Sequence, residues 1–116
     1  MASRRGSYRE PDERERRLLE FLAAKTDAVD SESLSGILVR DMDDGGMGSI
    51  ELLPRGAQPE AQRIGSVVAD HDFLDTDGVS ISVALIVDQN GDPFELDVWK
   101  VDFSPVILPP DTPRQG

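Results

Sequence analysis

The stretch "VSISVALIVDQNGDPFELDVWKVDF", residues 79–103, decides the fold. Val79, Ile81, Val83, Leu85 and Val87 alternate with Ser80, Ser82, Ala84 and Ile86, the period-two pattern of a strand. The second half of that strand is apolar at both parities, which predicts a central position, covered at one end by a helix. Asn90-Gly91 then supplies the strongest short hairpin signal, and Phe94–Phe103 is expected to pair back. In this returning segment the pattern changes. Phe94, Leu96 and Val98 alternate with Glu95 and Asp97, after which Trp99, Val101 and Phe103 alternate with Lys100 and Asp102.

Two readings account for the change. A β-bulge at Val98-Trp99 inserts one residue and turns both apolar sets to the core. Trp99 then packs under the helix, and Lys100 offsets Glu95 or Asp97 across the strand. Without a bulge, Trp99, Val101 and Phe103 share a face with Glu95 and Asp97. That leaves an aromatic and acidic surface, the residue types of a protein-binding hot spot. The bulge is the working expectation.

The other elements follow outward from this hairpin. Ser35–Arg40 and Met47–Leu53 read as strands around the turn residues 41–46 ("DMDDGG"), and Ile64–Phe73 as a strand with Val67, Ala69, His71 and Phe73 on one side. Glu10 and Pro11 open a helix that ends near Lys25. Asp12 and Glu13 lie in its first turn, and Leu18, Leu19, Phe21 and Leu22 form its apolar stripe. "TDAVDSES" reads as a loop. No helical crossover separates the strands, so the fold class is α+β: one N-terminal helix packed on an antiparallel, mostly meander sheet of about five strands. Residues 1–9 read as a disordered basic arm, 10–107 as a single domain, and 108–116 as a disordered Pro-rich tail.

Composition narrows the function. The 116 residues contain no cysteine, which removes disulfides and thiolate metal sites. No apolar run approaches the length of a membrane span, so a cytoplasmic protein without membrane contact is expected. The formal net charge is −11 and is unevenly distributed. Residues 1–25 hold seven basic and five acidic residues, whereas residues 26–116 hold five basic and eighteen acidic. Such a body repels phosphate backbones, so no nucleic acid is expected beyond the reach of the short N-terminal arm. Solubility accounts for the acidity, and an acidic face for a basic protein partner is the sharper alternative.

Sites of chemistry are sparse. Asp41, Asp75 and Asp88 each begin an Asp- and Gly-rich turn resembling a calcium loop. The bidentate Glu required at the twelfth position is replaced by Leu52, Ile86 and Trp99. Hairpin turns explain the same residues, with weak metal binding at these turns as an alternative. His71 is the only histidine, and its neighbours Asp70 and Asp72 point to the opposite side of a strand. There is no phosphate-binding glycine motif and no nucleophile elbow. Glu95 and Asp97, two apart on one strand face, are a carboxylate pair. A small enzyme or ligand-binding domain requires Glu95, Asp97, His71 and Asp102 to converge.

"DMDDGGMGS", 41–49, and "FELDVWKVDFSP", 94–105, together resemble the motifs of a family of small bacterial proteins of unknown function. That family carries a D-x-x-D-G-G-M-G-S turn followed by an (F/Y)-E-L-D-x-W-K-x-D-F-S-P strand. The resemblance covers roughly residues 12–107 and implies no catalytic residue. Size and acidity are also similar to those of immunity proteins, which neutralise a toxin by binding it. The resulting expectation is a non-enzymatic interaction module without cofactor or metal. Glu95, Asp97, Trp99, Lys100 and Asp102 are its candidate surface, on a monomer or on a homodimer formed through an edge strand.

Overall fold

The computed structural model describes residues 7–58 and 63–112. Helix α1 (Glu13–Ala23) is followed by the short helix α2 (Ser31–Leu34) and five strands: β1 (Leu38–Asp41), β2 (Ile50–Leu53), β3 (Ile64–Leu74), β4 (Ser80–Asp88) and β5 (Pro93–Lys100). All strand pairs are antiparallel, in the order β1-β2-β5-β4-β3. The β3-β4-β5 meander and the β1-β2 hairpin are thus joined by pairing β2 to β5. β5 holds the middle position; β4 is an interior strand, flanked by β5 and β3, which accounts for its double apolar parity.

α1 begins two residues later than Pro11 suggests. Asp12 is the N-cap: its carboxylate accepts from the Glu15 N–H, while the Glu15 side chain accepts from the Asp12 N–H. Leu18, Leu19 and Leu22 then face the sheet and are fully buried. "DSES", expected in a loop, forms α2 because Asp30 caps the Ser33 N–H and Leu34 finds a buried position.

Register sorts the side chains into two faces. Under α1 lie Ala69, His71 and Phe73 of β3, Ile81, Val83 and Leu85 of β4, and Leu96, Val98 and Lys100 of β5, followed by Ile50 and Leu52 of β2 and Val39 of β1. Among the described residues no helix lies over the opposite face, the usual state of an antiparallel sheet in a small domain. Val67 departs from the expected row and is 53% exposed, because the β3–β4 register shifts between Val67 and Ala69.

The expected bulge at Val98-Trp99 is absent. Val83, Ser82 and Ile81 pair with Val98, Trp99 and Lys100 without interruption, and the irregularity in this pair lies at Ile86/Val87, opposite Glu95 and Pro93. The irregularity falls at Phe94, and from Glu95 to Lys100 the parity of β5 does not change; its last inward residue is a lysine. Trp99 therefore stands on the open face, 40% exposed, and Lys100 is 0% exposed on the covered one.

Ordered contacts also reach past residues 10 and 107. The arm is fixed by residue 9, where Arg9 exchanges two backbone hydrogen bonds with Val39 and its guanidinium bridges Glu15 and Asp41. At the other end Pro110 is buried, with its carbonyl accepting from Arg14, and Asp111 pairs with Arg17. Residues 1–6 and 113–116 of the expected arm and tail lie outside the described residues.

Candidate functional site

The two sequence motifs meet along one side of β5. Asp44 folds the first motif by accepting from the N–H groups of Met47, Gly48 and Ser49. Gly46 adopts a φ of 86°, a region closed to most side chains, and a Cβ there would come within 3.1 Å of Pro105. Ser49 then replaces a strand residue: its Oγ accepts from the Val98 N–H at 2.8 Å and donates to the Val98 carbonyl at 3.1 Å. The Lys100 N–H donates to the Met47 sulfur, and the Val106 N–H to the Gly46 carbonyl. Together these contacts extend the sheet past the short β2–β5 ladder and give both motifs a structural reason.

Lys100 belongs to this framework, which corrects its place in the candidate surface. Its ammonium lies 2.9 Å from Asp75 Oδ2 and 2.7 Å from Asp77 Oδ2. It pairs neither with Glu95 nor with Asp97, which point to the other face. Asp75 also accepts from the Ile107 and Leu108 N–H groups and so fastens the segment after β5. Burial pushes the Asp75 carboxyl up, but the Ile107 amide, the Lys100 ammonium and the Leu108 and Thr76 amides outweigh it. The carboxyl lies well below the usual carboxylate range. The Lys100 ammonium loses solvation on burial, yet Asp77 and Asp75 raise its pKa above the ordinary lysine value.

Glu95, Asp97, His71 and Asp102 do not converge. His71 is on the covered face, its ring 5.0 Å from Phe21 and 4.8 Å from Phe73, with Nδ1 3.1 Å from the Lys25 ammonium. Glu95 and Asp97 are on the open face. Asp102 is exposed in the turn after β5, where it accepts from the N–H and hydroxyl of Ser104. A catalytic or ligand-binding site made of these four is therefore removed. The cavity between α1 and α2, lined by Glu20, Ala23, Asp27, Val29 and Leu34 among others, includes none of them. Turn carboxylates are likewise engaged by their own backbones, Asp88 by the Asn90 and Asp92 N–H groups and Asp44 as above. Among the described residues no group of three or more acidic or histidine side chains is placed to hold a metal.

What the structure does bring together is an aromatic and acidic surface. Along the middle of the open face β4 presents only Ser80, Ser82 and Ala84 before Ile86. On one side β5 presents Glu95, Asp97 and Trp99, and on the other β3 presents Asp70, Asp72 and Leu74. Small side chains between larger ones make a trough, its walls about 10 Å apart from the spacing of alternate strands. Asp70 and Asp72 are exposed and make no ion pair among the described residues. The Trp99 ring meets Phe103 at 5.6 Å and 61°. Phe103 is 71% exposed and holds a φ of 66°, a left-handed conformation that costs a bulky residue about 1–2 kcal/mol. The Lys100 carbonyl, accepting from the Phe103 N–H at 2.8 Å, and the Asp102–Ser104 bonds keep it there.

Of the candidate surface, Glu95, Asp97 and Trp99 share this face, Asp102 borders it and Lys100 is excluded. Asp70, Asp72 and Leu74 lie outside the expected surface, and Phe103 enters it only in the reading without a bulge. Phe103 carried a signal, its parity with Trp99, which the expected bulge concealed. The β3 residues became legible only once the pairing of β3 with β4 was known.

The chain belongs to a family of domains of unknown function (DUF6984), whose model matches residues 8–110. The match spans both motifs, and its ends fall near Arg9 and Pro110, the anchored residues described above. Comparison with curated proteins and with solved structures gives no significant match. No helix among the described residues is long and apolar enough to cross a membrane.

Proposed function

We propose that this member of the family is a non-enzymatic interaction module that docks a basic partner protein on its open sheet face. The observation that carries the reading is Trp99, standing out from an uncovered face beside a Phe103 held in a costly backbone conformation. Large aromatic side chains flanked by acids are what a docking surface for a cationic partner requires. The negative charge of residues 26–116 adds long-range attraction for such a partner. A basic toxin neutralised by occupation of its surface is a partner of this kind.

Co-purification from the organism that encodes the chain tests the proposal. The expected result is one basic protein retained in stoichiometric amount. It is lost from the Trp99→Ser and Asp97→Lys variants, and its binding is reproduced with purified components. A partner retained equally by both folded variants, or no stoichiometric partner, overturns it.

A further inference from the structure

The two ends of the open face have related chemistry, and only one end is filled. At the β1–β2 end the Arg40 guanidinium lies 4.2 Å from the centre of the Tyr8 ring, with Nε and Nη2 at 3.0 and 2.6 Å from Glu51 Oε1. An arginine there is held by an aromatic face on one side and a carboxylate on the other. At the far end Trp99 offers the aromatic surface. Ser82 pairs with Trp99 on one side and with Asp72 on the other, so Asp72 faces Trp99 across a small side chain. Asp97 stands two residues before Trp99 on the same face. No cation among the described residues lies over Trp99.

From this we infer that the Trp99 end of the trough is a receptor for an arginine side chain of the partner. This inference rests on the docking reading above and gives it a chemical specificity. The guanidinium stacks on Trp99 over Ser82 and donates to Asp72, with Asp97 adding charge. Phe103, fixed against the Trp99 ring, limits the ring's motion and extends the apolar wall. Arginine suits this place better than lysine. A planar guanidinium stacks and donates in its own plane at the same time, whereas an ammonium is a strongly hydrated point charge. The trough is one strand wide, room for a single flat side chain between its walls, with Leu74 and Val101 available to apolar residues beside the arginine.

Trp99 is the only tryptophan, so its emission reports directly on the site. The full chain is titrated at low salt with two peptides that differ only in having arginine or lysine at each basic position. The arginine peptide is expected to change Trp99 emission and to bind at least about fivefold tighter than the lysine peptide. Asp72→Asn, an exposed and conservative change, is expected to remove most of that difference. Equal affinities for the two peptides, an unchanged preference in Asp72→Asn, or saturation without a change in emission each overturn the inference. So does a concentration-dependent dimer in light scattering that Trp99→Ser disperses, since a second copy then occupies the face. If the co-purified partner depends on Trp99 while both peptides bind alike, the arginine receptor falls and the docking surface stands. If no partner depends on Trp99, the docking reading falls first.

Discussion

Trp99 and Lys100 are neighbours in the chain, and each occupies the place that hydropathy assigns to the other. The lysine has no exposed surface and closes the inward row of β5, while the tryptophan stands on the open face. The lysine is tolerated because its environment is built around the charge. Two carboxylates meet the ammonium, and backbone amides meet the carboxylate of Asp75, so neither charge is left unpaired. Among the described residues no helix or strand covers the Trp99 ring, which is 40% exposed, and its edge contact is with another exposed aromatic. One site spends its polar groups on holding the C-terminal segment to the sheet, and the other leaves its apolar surface available. Adjacent residues on a strand separate cleanly into scaffold and display because successive side chains point to opposite faces.

The largest effect comes from breaking the buried side of this pair. Lys100→Met fills a similar volume but leaves Asp75 and Asp77 facing each other without a cation. Removing one partner of a buried ion pair is among the most damaging single changes. The expected loss in melting temperature exceeds about 10 °C. Proteolysis should also become faster near residues 105–111, since Asp75 fastens that segment. A melting temperature within about 2 °C of the parent would mean that the charges are not closed off from water.

The acid limb of stability gives a smaller, graded effect. The folded-state pKa of Asp75 is lowered, so its contribution is fully present above the unfolded aspartate value of about 3.9. It is lost as pH falls from there through the folded value. Glu15, lowered against its burial by Arg9 and the Asp12 N–H, adds in the same direction. Denaturant midpoints measured from pH 6 down to pH 2.5 should therefore fall most steeply below about pH 4. Asp75→Asn should start lower at neutral pH and show a shallower fall. Parallel curves for the two proteins would place the acid sensitivity elsewhere.

Residues 79–103 carried most of the fold in their alternation. The interior place of β4, its Asn-Gly hairpin and the α+β class follow from period and turn chemistry alone, and the structure agrees. The position of Trp99 was legible too, but only to a reader who kept the parity of Leu96 and Val98 running. A bulge is plausible whenever an aromatic falls on the wrong parity, because burial of a large ring outweighs most local preferences. What overrode that preference is the Lys100 pairing with Asp75 and Asp77, which lie 25 and 23 residues earlier in a turn read as simple hairpin chemistry. A long-range ion pair leaves no local period, so no pattern search along β5 finds it. The same holds for Ser49, whose hydroxyl substitutes for a strand residue, and for Asp72, which reaches the site through β4.

The smallest effect is expected where hydropathy predicts the largest. Truncating a buried tryptophan typically costs about 3–5 kcal/mol, from lost transfer energy and the cavity left behind. Trp99→Ser on the open face removes a ring that is already partly hydrated, and opens no cavity under α1. Serine also suits its surroundings, because Ser80 and Ser82 already occupy the adjoining strand. The expected cost is about 1 kcal/mol, above an ordinary surface substitution because the ring is partly covered, and well below the buried-residue value. Urea titration followed by circular dichroism measures it directly, since the variant has no tryptophan to report by fluorescence. A cost near the buried-residue value would return Trp99 to the core and remove the surface on which docking rests. A small cost accompanied by loss of the partner identifies Trp99 as a residue kept for binding, beside a lysine kept for folding.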